Sequence, residues 1–522
     1  MGELSKATRG EHMESPNGCE HKAKPAKTYQ CQSAQTIRMV NWWHVISTSF
    51  PWILTTLLFV VSVQIAVEVY MNVDHIKSAF VEIRQVEPLA MDLSYKTFGA
   101  VLVALYLYQK IGSPIYLLDF SCFEPPAEWK LNHDQIMQCM KAKGTFTQES
   151  LDFMARILGN SGTGQGTAWP PDIVGLLEGK KSTQSAEMAR AESETVICGC
   201  VSDVLEKTGI KAKDIDILIV NCSLFSPTPS LCAIVANKFG MRSDLLTYNL
   251  SGMGCSASLI SIDLAKRLLK AHPNSTALVV STENLTQNLY HGNKRSMLVQ
   301  NTLFRCGGAA MVLSNKWGDA LRARFMLLNT VLTKSISEEG YNAVFECEDE
   351  EGNHGVRLSK AIVEVAGKCM EANLTTLGPM VLPYTEQVMV ALSIVAKKLR
   401  KMLPKGLQDT IGPIRTYVPD FKTGIDHFCL HAGGRRVLDG IEKNLKLTPA
   451  HLKASRQALF HYGNTSSSSI WYELRFMELN GEMKRGDRAL QLAFGSGFKC
   501  NSAVWLCLRP KHKHGNPDFG DE

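Results

Sequence analysis

A long stretch without charged residues, close to the N-terminus, constrains this 522-residue chain more than any other feature. Residues 39–67 contain no Asp, Glu, Lys or Arg, and residues 45–67 form a mostly apolar run that includes Pro51. A helix of about 20 apolar residues is long enough to cross a bilayer. The run begins too late and is too long for a cleaved signal peptide. We therefore predict a membrane-spanning signal anchor here, in preference to a buried core helix.

A second apolar block covers residues 97–118 and is interrupted by Lys110. Its length fits a short span, a re-entrant segment or a helix that lies in the membrane surface. Six Lys or Arg residues precede the first block and three lie between the blocks, so the positive-inside tendency places the N-terminus in the cytosol. If both blocks cross, the rest of the chain returns to the cytosolic side. The polar residues 1–38 are predicted to be a disordered tail.

The bulk composition narrows the classes of function. With 45% hydrophobic and 20% charged residues the chain is typical of a folded protein, and its net charge of +6 is spread without a long run of Lys and Arg. This distribution gives little support to nucleic-acid binding. The 15 cysteines are odd in number and irregularly spaced. Such usage is typical of a reducing compartment rather than of a secreted disulfide scaffold.

From residue 119 onward, helical and strand-like segments alternate. Strand patterns occupy residues 214–221 and 276–281, and helical patterns occupy residues 191–206 and 230–239. Alternation of this kind predicts an α/β fold with a mostly parallel, helix-covered sheet.

The same alternation returns in the C-terminal part of the chain. We predict a first half over residues 119–330, a charged connection over residues 331–357 and a second half over residues 358–509, followed by a polar tail over residues 510–522. A glycine-containing turn before a helix occurs once in each half. We infer an internal duplication whose two halves face one shared site.

The first of these turns carries Cys255, within the stretch from Thr247 to Ser258. Gly252 and Gly254 allow a sharp turn, and apolar residues at helical spacing follow it. Cys255 is therefore predicted to lie at a helix N-terminus, where unpaired amide groups and the helix dipole lower the pKa of a thiol and make it nucleophilic. A buried structural cysteine is the alternative, and this stretch alone does not decide between the two.

The second half contributes candidate hydrogen-bonding and acid–base groups. His427 and His431 are four residues apart and share a face if the segment is helical, with Gly433 and Gly434 ending that helix. Such a pair can bind zinc, but no third ligand is evident, so one catalytic and one structural histidine is the preferred interpretation. Asn464, in the second glycine turn, can donate its amide to an oxyanion, and simple capping of the following helix explains it equally well.

Specific motifs extend beyond these candidate residues. They occupy residues 249–258, 281–288, 303–308, 377–383, 427–434, 463–473 and 494–502. Together, and in this order, they resemble the plant-type 3-ketoacyl-CoA synthases, the condensing enzymes of very-long-chain fatty acid elongation. The resemblance runs from residue 116 to residue 507. Two N-terminal membrane segments are also typical of that family.

The resemblance implies a thiolase fold, with a duplicated α/β/α/β/α core behind N-terminal transmembrane segments. It also implies a decarboxylative Claisen condensation, in which a long-chain acyl-CoA and malonyl-CoA give a 3-ketoacyl-CoA, CO2 and CoA. By matching positions, Cys255 would become acylated, while His431 and Asn464 would assist malonyl decarboxylation and hold the enolate oxygen. His427 matches a family histidine needed around the site, and His461 is a further supporting candidate.

The same resemblance bears on cofactors, partners and location. It implies no metal or redox cofactor, with acyl-CoA and malonyl-CoA as substrates. It implies a homodimer in contact with membrane lipid, and other elongase components (ketoreductase, dehydratase and enoyl reductase) as partners. The expected location is the endoplasmic reticulum membrane, with the catalytic domain in the cytosol. The chain length and saturation of the acyl group depend on the shape of a tunnel that no motif encodes.

Two positions depart from the family pattern. Lys334 stands where many members have His, in a stretch that reads Leu-Thr-Lys instead of Arg-Thr-His, and Phe460 stands where many have His. We expect catalysis to survive these changes, with an altered rate or chain-length preference.

The departures also motivate an alternative function for the chain, a non-catalytic scaffold or regulatory subunit of a membrane elongase complex. A chalcone-synthase-like polyketide synthase is a further alternative, but such enzymes are normally soluble, in conflict with the predicted span.

Glycosylation sequons provide a test of topology. Six asparagines lie in Asn-x-Ser/Thr sequons, and these are Asn221, Asn249, Asn274, Asn284, Asn373 and Asn464. We predict that none is glycosylated, because the domain that contains them is expected to face the cytosol.

Overall fold

The computed structural model describes residues 114–402 and 417–510. The predicted N-terminal tail, the first apolar block, residues 97–113 of the second block and residues 511–522 lie outside the described residues. The last residues of the second block, 115–118, belong to the first strand. Among the described helices, none is both long enough and apolar enough to span a bilayer.

The described residues contain strands and helices of very different lengths. The strands are β1 (Ile115–Cys122), β2 (Lys130–Leu131), β3 (Thr167–Ala168), β4 (Ile217–Asn221), β5 (Leu246–Leu250), β6 (Thr276–Thr282), β7 (Gly308–Ser314), β8 (Phe325–Lys334), β9 (Val344–Glu348), β10 (His354–Leu358), β11 (His427–Leu430), β12 (Arg488–Gly495) and β13 (Lys499–Cys507). The helices are α1 (His133–Lys143), α2 (Gln148–Gly159), α3 (Pro171–Val174), α4 (Ala186–Thr208), α5 (Leu231–Lys238), α6 (Ala257–Ala271), α7 (Arg295–Leu303), α8 (Glu338–Tyr341), α9 (Ile362–Val381), α10 (Tyr384–Met402), α11 (Arg435–Leu445), α12 (Pro449–Tyr462) and α13 (Ser469–Leu479).

Nine strands form one mixed sheet, in the order β11-β12-β13-β8-β1-β7-β6-β4-β5. The pairs β4–β5, β4–β6 and β11–β12 are parallel. The other five neighbouring pairs are antiparallel. The prediction of a mostly parallel sheet is therefore wrong. A strand that is buried on both faces reads as an apolar run in either direction, so the sequence pattern carries no information on strand orientation.

The pairing pattern repeats about the centre of the sheet. In the first half β1 pairs with β7, β7 with β6 and β6 with β4; in the second half β8 pairs with β13, β13 with β12 and β12 with β11, in the same relative directions. The first strands of the halves, β1 and β8, are antiparallel neighbours with Ile115 opposite Leu327. The strand order thus shows the duplication inferred from the sequence.

The core is arranged in five layers. In the central layer, Leu259 of α6 belongs to the same apolar cluster as Ile470 and Trp471 of α13, together with residues from both halves of the sheet. The outer face of the sheet, away from α6 and α13, packs against α4 in the first half and against α9 in the second half. The α/β/α/β/α arrangement implied by the resemblance is therefore present.

The predicted connection over residues 331–357 contains regular structure. Its first residues, up to Lys334, complete β8, which lies between β1 and β13 in the large sheet. The short helix α8 and the antiparallel hairpin of β9 and β10 follow. The cluster of charged residues at 346–351 therefore marks an exposed hairpin rather than a linker between the halves.

Candidate active site

Cys255 lies on a sharp turn between β5 and α6. After Leu250, Gly252 and Gly254 adopt φ angles of 65° and 70°, and a 3-10 turn over Gly254–Ser256 leads directly into α6. The Cys255 side chain is half-buried. The predicted strand–turn–helix arrangement, with the cysteine at the N-terminus of the helix, is confirmed.

A second turn of the same form contacts the first. After α12, Gly463 has a φ angle of 68°, and a 3-10 turn over Ser466–Ser468 leads into α13. Ser466 Oγ lies 3.7 Å from Cys255 Sγ, within hydrogen-bonding distance for sulfur. The two glycine turns, one from each half of the chain, therefore meet at the thiol.

Hydrogen bonds between the halves hold the two turns in register. Trp471 Nε1 on α13 donates to Ser258 Oγ on α6 over 2.7 Å, and Asn501 Nδ2 on β13 donates to Ser256 Oγ over 3.0 Å. All four side chains are buried. Buried hydrogen bonds of this kind are costly to break, because each leaves a polar group without a partner.

Asn464 is buried in the second turn and held on both sides by backbone hydrogen bonds. Its N–H donates to the Leu303 carbonyl over 3.1 Å, and its carbonyl accepts from the Arg305 N–H over 2.9 Å. Its side-chain Oδ1 accepts from the Ser466 N–H over 2.9 Å. Because the amide oxygen is engaged in this way, the Nδ2 group is the part of the side chain that can donate to a ligand.

His431 follows β11 and is buried next to the start of α13. Its Nδ1 lies 2.6 Å from Ser469 Oγ. Burial lowers the pKa of His431 to about 4, so the imidazole is neutral at pH 7. If the Ser469 hydroxyl donates to Nδ1, the ring proton resides on Nε2, which can then donate a hydrogen bond.

His427 lies at the opposite end of the same strand. The helix predicted for residues 427–431 is wrong, because Phe428, Cys429 and Leu430 are buried in β11, and Gly434 begins α11 instead of ending a helix. Four residues of strand span about 13 Å. His427 Nε2 instead contacts Asp487 Oδ2 at 2.8 Å.

The sequence also raised the possibility of a metal-binding histidine pair. His427 and His431 have different polar partners, Asp487 and Ser469, at the two ends of the strand. Across residues 114–402 and 417–510, no group of three or more His, Cys, Asp and Glu side chains is placed to hold a metal ion.

His461 lies in the last turn of α12, three residues before Asn464. Its Nε2 lies 3.1 Å from Gln457 Oε1, and its ring packs edge-on against Phe460. Burial lowers the pKa of His461. The structure thus places His461 at the end of the helix that directly precedes the second glycine turn.

The environment of Cys255 includes a carboxyl group that sequence reasoning missed. Glu283, directly after β6, is buried, and its Oε2 accepts from Ser466 Oγ over 2.9 Å while its Oε1 accepts from the Leu224 N–H over 2.9 Å. Burial raises the pKa of Glu283. The Ser466 hydroxyl therefore stands between the Glu283 carboxyl and the Cys255 thiol. The position of Glu283 at the carboxyl end of a strand next to parallel strands was the available signal.

Burial also raises the pKa of the Cys255 thiol, to about 12; the Ser466 hydrogen bond lowers it and the nearby Glu283 carboxyl raises it further. The lowered thiol pKa predicted from the helix N-terminus is therefore not what this environment favours. The prediction counted the helix dipole but not the loss of hydration around the sulfur, which disfavours the thiolate.

Two family models match the chain. The first, "FAE1/Type III polyketide synthase-like protein", matches residues 107–399, and the second, "3-Oxoacyl-[acyl-carrier-protein (ACP)] synthase III C terminal", matches residues 422–507. The 3-ketoacyl-CoA synthase 2 of Arabidopsis thaliana is 49% identical over 422 residues, which cover 80% of this chain and 78% of that protein. The chain belongs to the 3-ketoacyl-CoA synthase family.

Other relatives of this synthase extend the similarity. The 3-ketoacyl-CoA synthase 4 of Arabidopsis thaliana is 43% identical over 472 residues, or 90% of this chain and 88% of that protein. The probable 3-ketoacyl-CoA synthase 20 of Oryza sativa subsp. japonica is 46% identical over 424 residues, or 81% of this chain and 78% of that protein.

Solved structures show that the synthase has the fold of type III polyketide synthases. The fungal type III polyketide synthase ORAS is matched with a TM-score of 0.59 and 19% identity, over 75% of this chain and 99% of that one. CsyB complexed with CoA-SH is matched with a TM-score of 0.57 and 18% identity, over 75% of this chain and 100% of that one. The thiolase-like fold is therefore established for the synthase.

The two departures from the family pattern occupy different places in the synthase. Lys334 is exposed at the end of β8, opposite Lys499 in the sheet register. The Phe460 ring packs over Gly164, so closely that a Cβ built on that glycine would lie 2.8 Å from the ring. Gly164 also donates its N–H to the Phe460 carbonyl over 2.8 Å. Phe460 therefore serves as a packing residue on α12.

We expect Gly254→Ala to lower the free energy of unfolding of the synthase by about 1–3 kcal/mol more than Gly252→Ala. Both glycines have positive φ angles, so both substitutions share the backbone cost. A Cβ at Gly254 would lie 2.4 Å from the backbone nitrogen of Ser496, whereas the described structure has no heavy atom within 4 Å of a Cβ at Gly252. Chemical denaturation of both variants in the same detergent measures the difference. Equal destabilisation would show that the close contact between the two halves carries no energy.

Proposed function

We propose that this synthase condenses a long-chain acyl-CoA with malonyl-CoA to give a 3-ketoacyl-CoA, CO2 and CoA, the first step of very-long-chain fatty acid elongation. The observation that carries the proposal is the meeting of two glycine turns at Cys255, with Asn464 on the second turn and His431, which follows β11, in contact with Ser469 at the start of the helix after that turn. Curated relatives that match most of the chain are named 3-ketoacyl-CoA synthases. The synthase is thus an acyltransferase.

The first half-reaction transfers the acyl group to Cys255. A bond forms between Cys255 Sγ and the acyl carbon while the bond from that carbon to the CoA sulfur breaks, and the thiol proton ends on the released CoA. The raised thiol pKa in the free enzyme favours loss of the proton during this step rather than before it. The product is a thioester, so the acyl group remains activated for the second step.

The second half-reaction generates and uses a carbanion. Loss of CO2 from malonyl-CoA leaves an enolate, whose oxygen would be held by Asn464 Nδ2 and His431 Nε2. Neutral donors in a buried site stabilise such a charge strongly, because little water competes for the oxygen. The carbanion attacks the Cys255 thioester carbon while the bond from that carbon to Sγ breaks, and the cysteine thiolate that leaves takes up a proton from water to regenerate the thiol. No step in this sequence needs a metal or redox cofactor.

The proposal extends to location and partners. The charge-free residues 45–67 support attachment to a membrane, and the family function supports the endoplasmic reticulum, with the catalytic domain in the cytosol. The 13 cysteines in the described part of the chain are all free thiols, in keeping with a reducing compartment. A homodimer and contact with the ketoreductase, dehydratase and enoyl reductase of elongation are part of the same proposal.

The direct test is condensation in microsomes that contain the full-length synthase, with labelled malonyl-CoA and a panel of saturated and unsaturated acyl-CoAs. We expect labelled 3-ketoacyl-CoA with a subset of the panel, which also reveals the chain-length preference. Microsomes without the synthase provide the background. A folded protein that yields no product with any member of the panel would contradict the proposal and favour a non-catalytic scaffold.

The structure sharpens the glycosylation test of topology. Asn221, Asn284, Asn373 and Asn464 are buried, so the folded domain shields them on either side of a membrane. Asn274 is exposed, next to the start of β6. We expect no endoglycosidase-sensitive shift in the mass of the synthase, because Asn274 faces the cytosol. A shift that disappears in Asn274→Gln would place the catalytic domain in the lumen.

A further inference from the structure

Helix α10 turns its apolar side away from the protein. Val388, Leu392, Val395 and Leu399 follow one another at intervals of four, three and four residues, which places them on one face of the helix. Their exposed fractions are 55%, 59%, 50% and 58%. We call this set the α10 stripe. Tyr384 and Met402, at the two ends of the helix, are also strongly exposed. A surface helix normally does the reverse and buries such a stripe.

The polar side of α10 faces the protein instead. Glu386 Oε2 accepts from the Tyr417 hydroxyl over 3.0 Å and from the Asp420 N–H over 2.9 Å. Ser393 Oγ accepts from the Tyr417 N–H over 3.1 Å. These hydrogen bonds fix the rotation of the helix about its axis. The outward direction of the α10 stripe therefore follows from specific contacts on the opposite face.

Charge accompanies the exposed aliphatic side chains. Four basic residues, Lys397, Lys398, Arg400 and Lys401, lie within the last six residues of α10, while the only acidic residue of the helix, Glu386, is engaged on the inner side. Aliphatic residues on one face with Lys and Arg nearby are typical of helices that lie in a membrane interface. Lys and Arg are attracted to the anionic headgroups of a cytosolic leaflet.

We propose that the α10 stripe inserts into the cytosolic leaflet of the membrane to which the chain is anchored. This inference rests on the proposed membrane attachment of the catalytic domain. The α10 stripe consists of branched aliphatic side chains, none of which can form a hydrogen bond. Such a surface is better suited to contact with lipid acyl chains than to specific recognition by a protein pocket. Contact at α10 adds a second attachment and fixes how the catalytic domain is oriented on the leaflet.

The experiment uses the full-length synthase in vesicles of phosphatidylcholine and phosphatidylserine, with a photoreactive diazirine on the acyl chain of a tracer phosphatidylcholine. After illumination, mass spectrometry locates the lipid adducts. We expect adducts on the peptide that contains Val388 to Leu399. Trp317 and Ile336, which are 90% and 100% exposed elsewhere on the domain, are internal controls that should remain unlabelled.

A double variant, Leu392→Glu with Leu399→Glu, is expected to lose these adducts, whereas the matched control Ile336→Glu should keep them. Absence of adducts on α10 in the wild type, or adducts on α10 that persist in the double variant, would overturn the inference. Condensation of a soluble acyl-CoA in detergent is measured in parallel on all variants. Activity without α10 labelling refutes this inference alone, whereas labelling without activity refutes the proposed condensation alone.

Discussion

Replacement of Cys255 by alanine is expected to abolish formation of 3-ketoacyl-CoA, with a loss of about a thousandfold or more. The acyl group must be held covalently while CoA leaves and malonyl-CoA enters, and Cys255 is the half-buried thiol at the point where the two glycine turns meet. The measurement is intact-protein mass spectrometry after incubation with acyl-CoA, followed by product analysis with labelled malonyl-CoA. The wild type should gain the mass of one acyl group, and Cys255→Ala should gain none.

Cys198 provides the matched control. It is also a half-buried free cysteine, but it lies on α4, on the outer side of the first half of the sheet. Cys198→Ala should retain both acylation and condensation. Acyl transfer to the Cys255→Ala chain, or equal losses in the two variants, would mean that the thioester forms elsewhere and that the turn at Cys255 has a purely structural role.

Asn464→Asp is expected to separate the two half-reactions. An aspartate has nearly the same shape and can still accept the Ser466 N–H, but a carboxylate cannot donate to the enolate and repels its charge. Loss of one donor to a developing oxyanion typically costs about a hundredfold to a thousandfold in rate. We therefore expect condensation and malonyl-CoA decarboxylation to fall by this amount, while acylation of Cys255 proceeds.

The decisive measurements are release of labelled CO2 from malonyl-CoA and the mass of the acylated protein, made on one preparation. Asn342→Asp, at a surface position where the side chain donates to the Glu338 carbonyl, controls for the added charge. If Asn464→Asp lost acylation and decarboxylation together, the residue would be supporting the whole turn rather than the enolate. His431→Gln, tested in the same way, should resemble Asn464→Asp.

Local features were the ones that the sequence predicted well. Glycines at positions 252 and 254, followed by apolar residues at helical spacing, identified the turn at Cys255, because positive φ angles and helical periodicity are properties of short segments. The repeat of a glycine turn before a helix was equally readable, and it led to the duplication that the strand order shows.

Features that depend on distant parts of the chain were missed or wrong. The segment from His427 has histidines at helical spacing, but it becomes a strand because it pairs with β12, some 60 residues later. The contact of Ser466 with both Glu283 and Cys255 joins three separate parts of the chain, and no spacing within one segment indicates it. The raised pKa of Cys255 likewise depends on burial by both halves.

The pairing of β1 with β8 has a mechanical consequence. Main-chain hydrogen bonds run without interruption from the first half into the second, and β8 is bonded on its other edge to β13 along most of its length. In the described residues, the boundary between the halves therefore lies inside a continuous sheet. Separation of the halves would break main-chain hydrogen bonds as well as the buried side-chain hydrogen bonds that join the two glycine turns, so the pairing opposes a change in the distance between those turns.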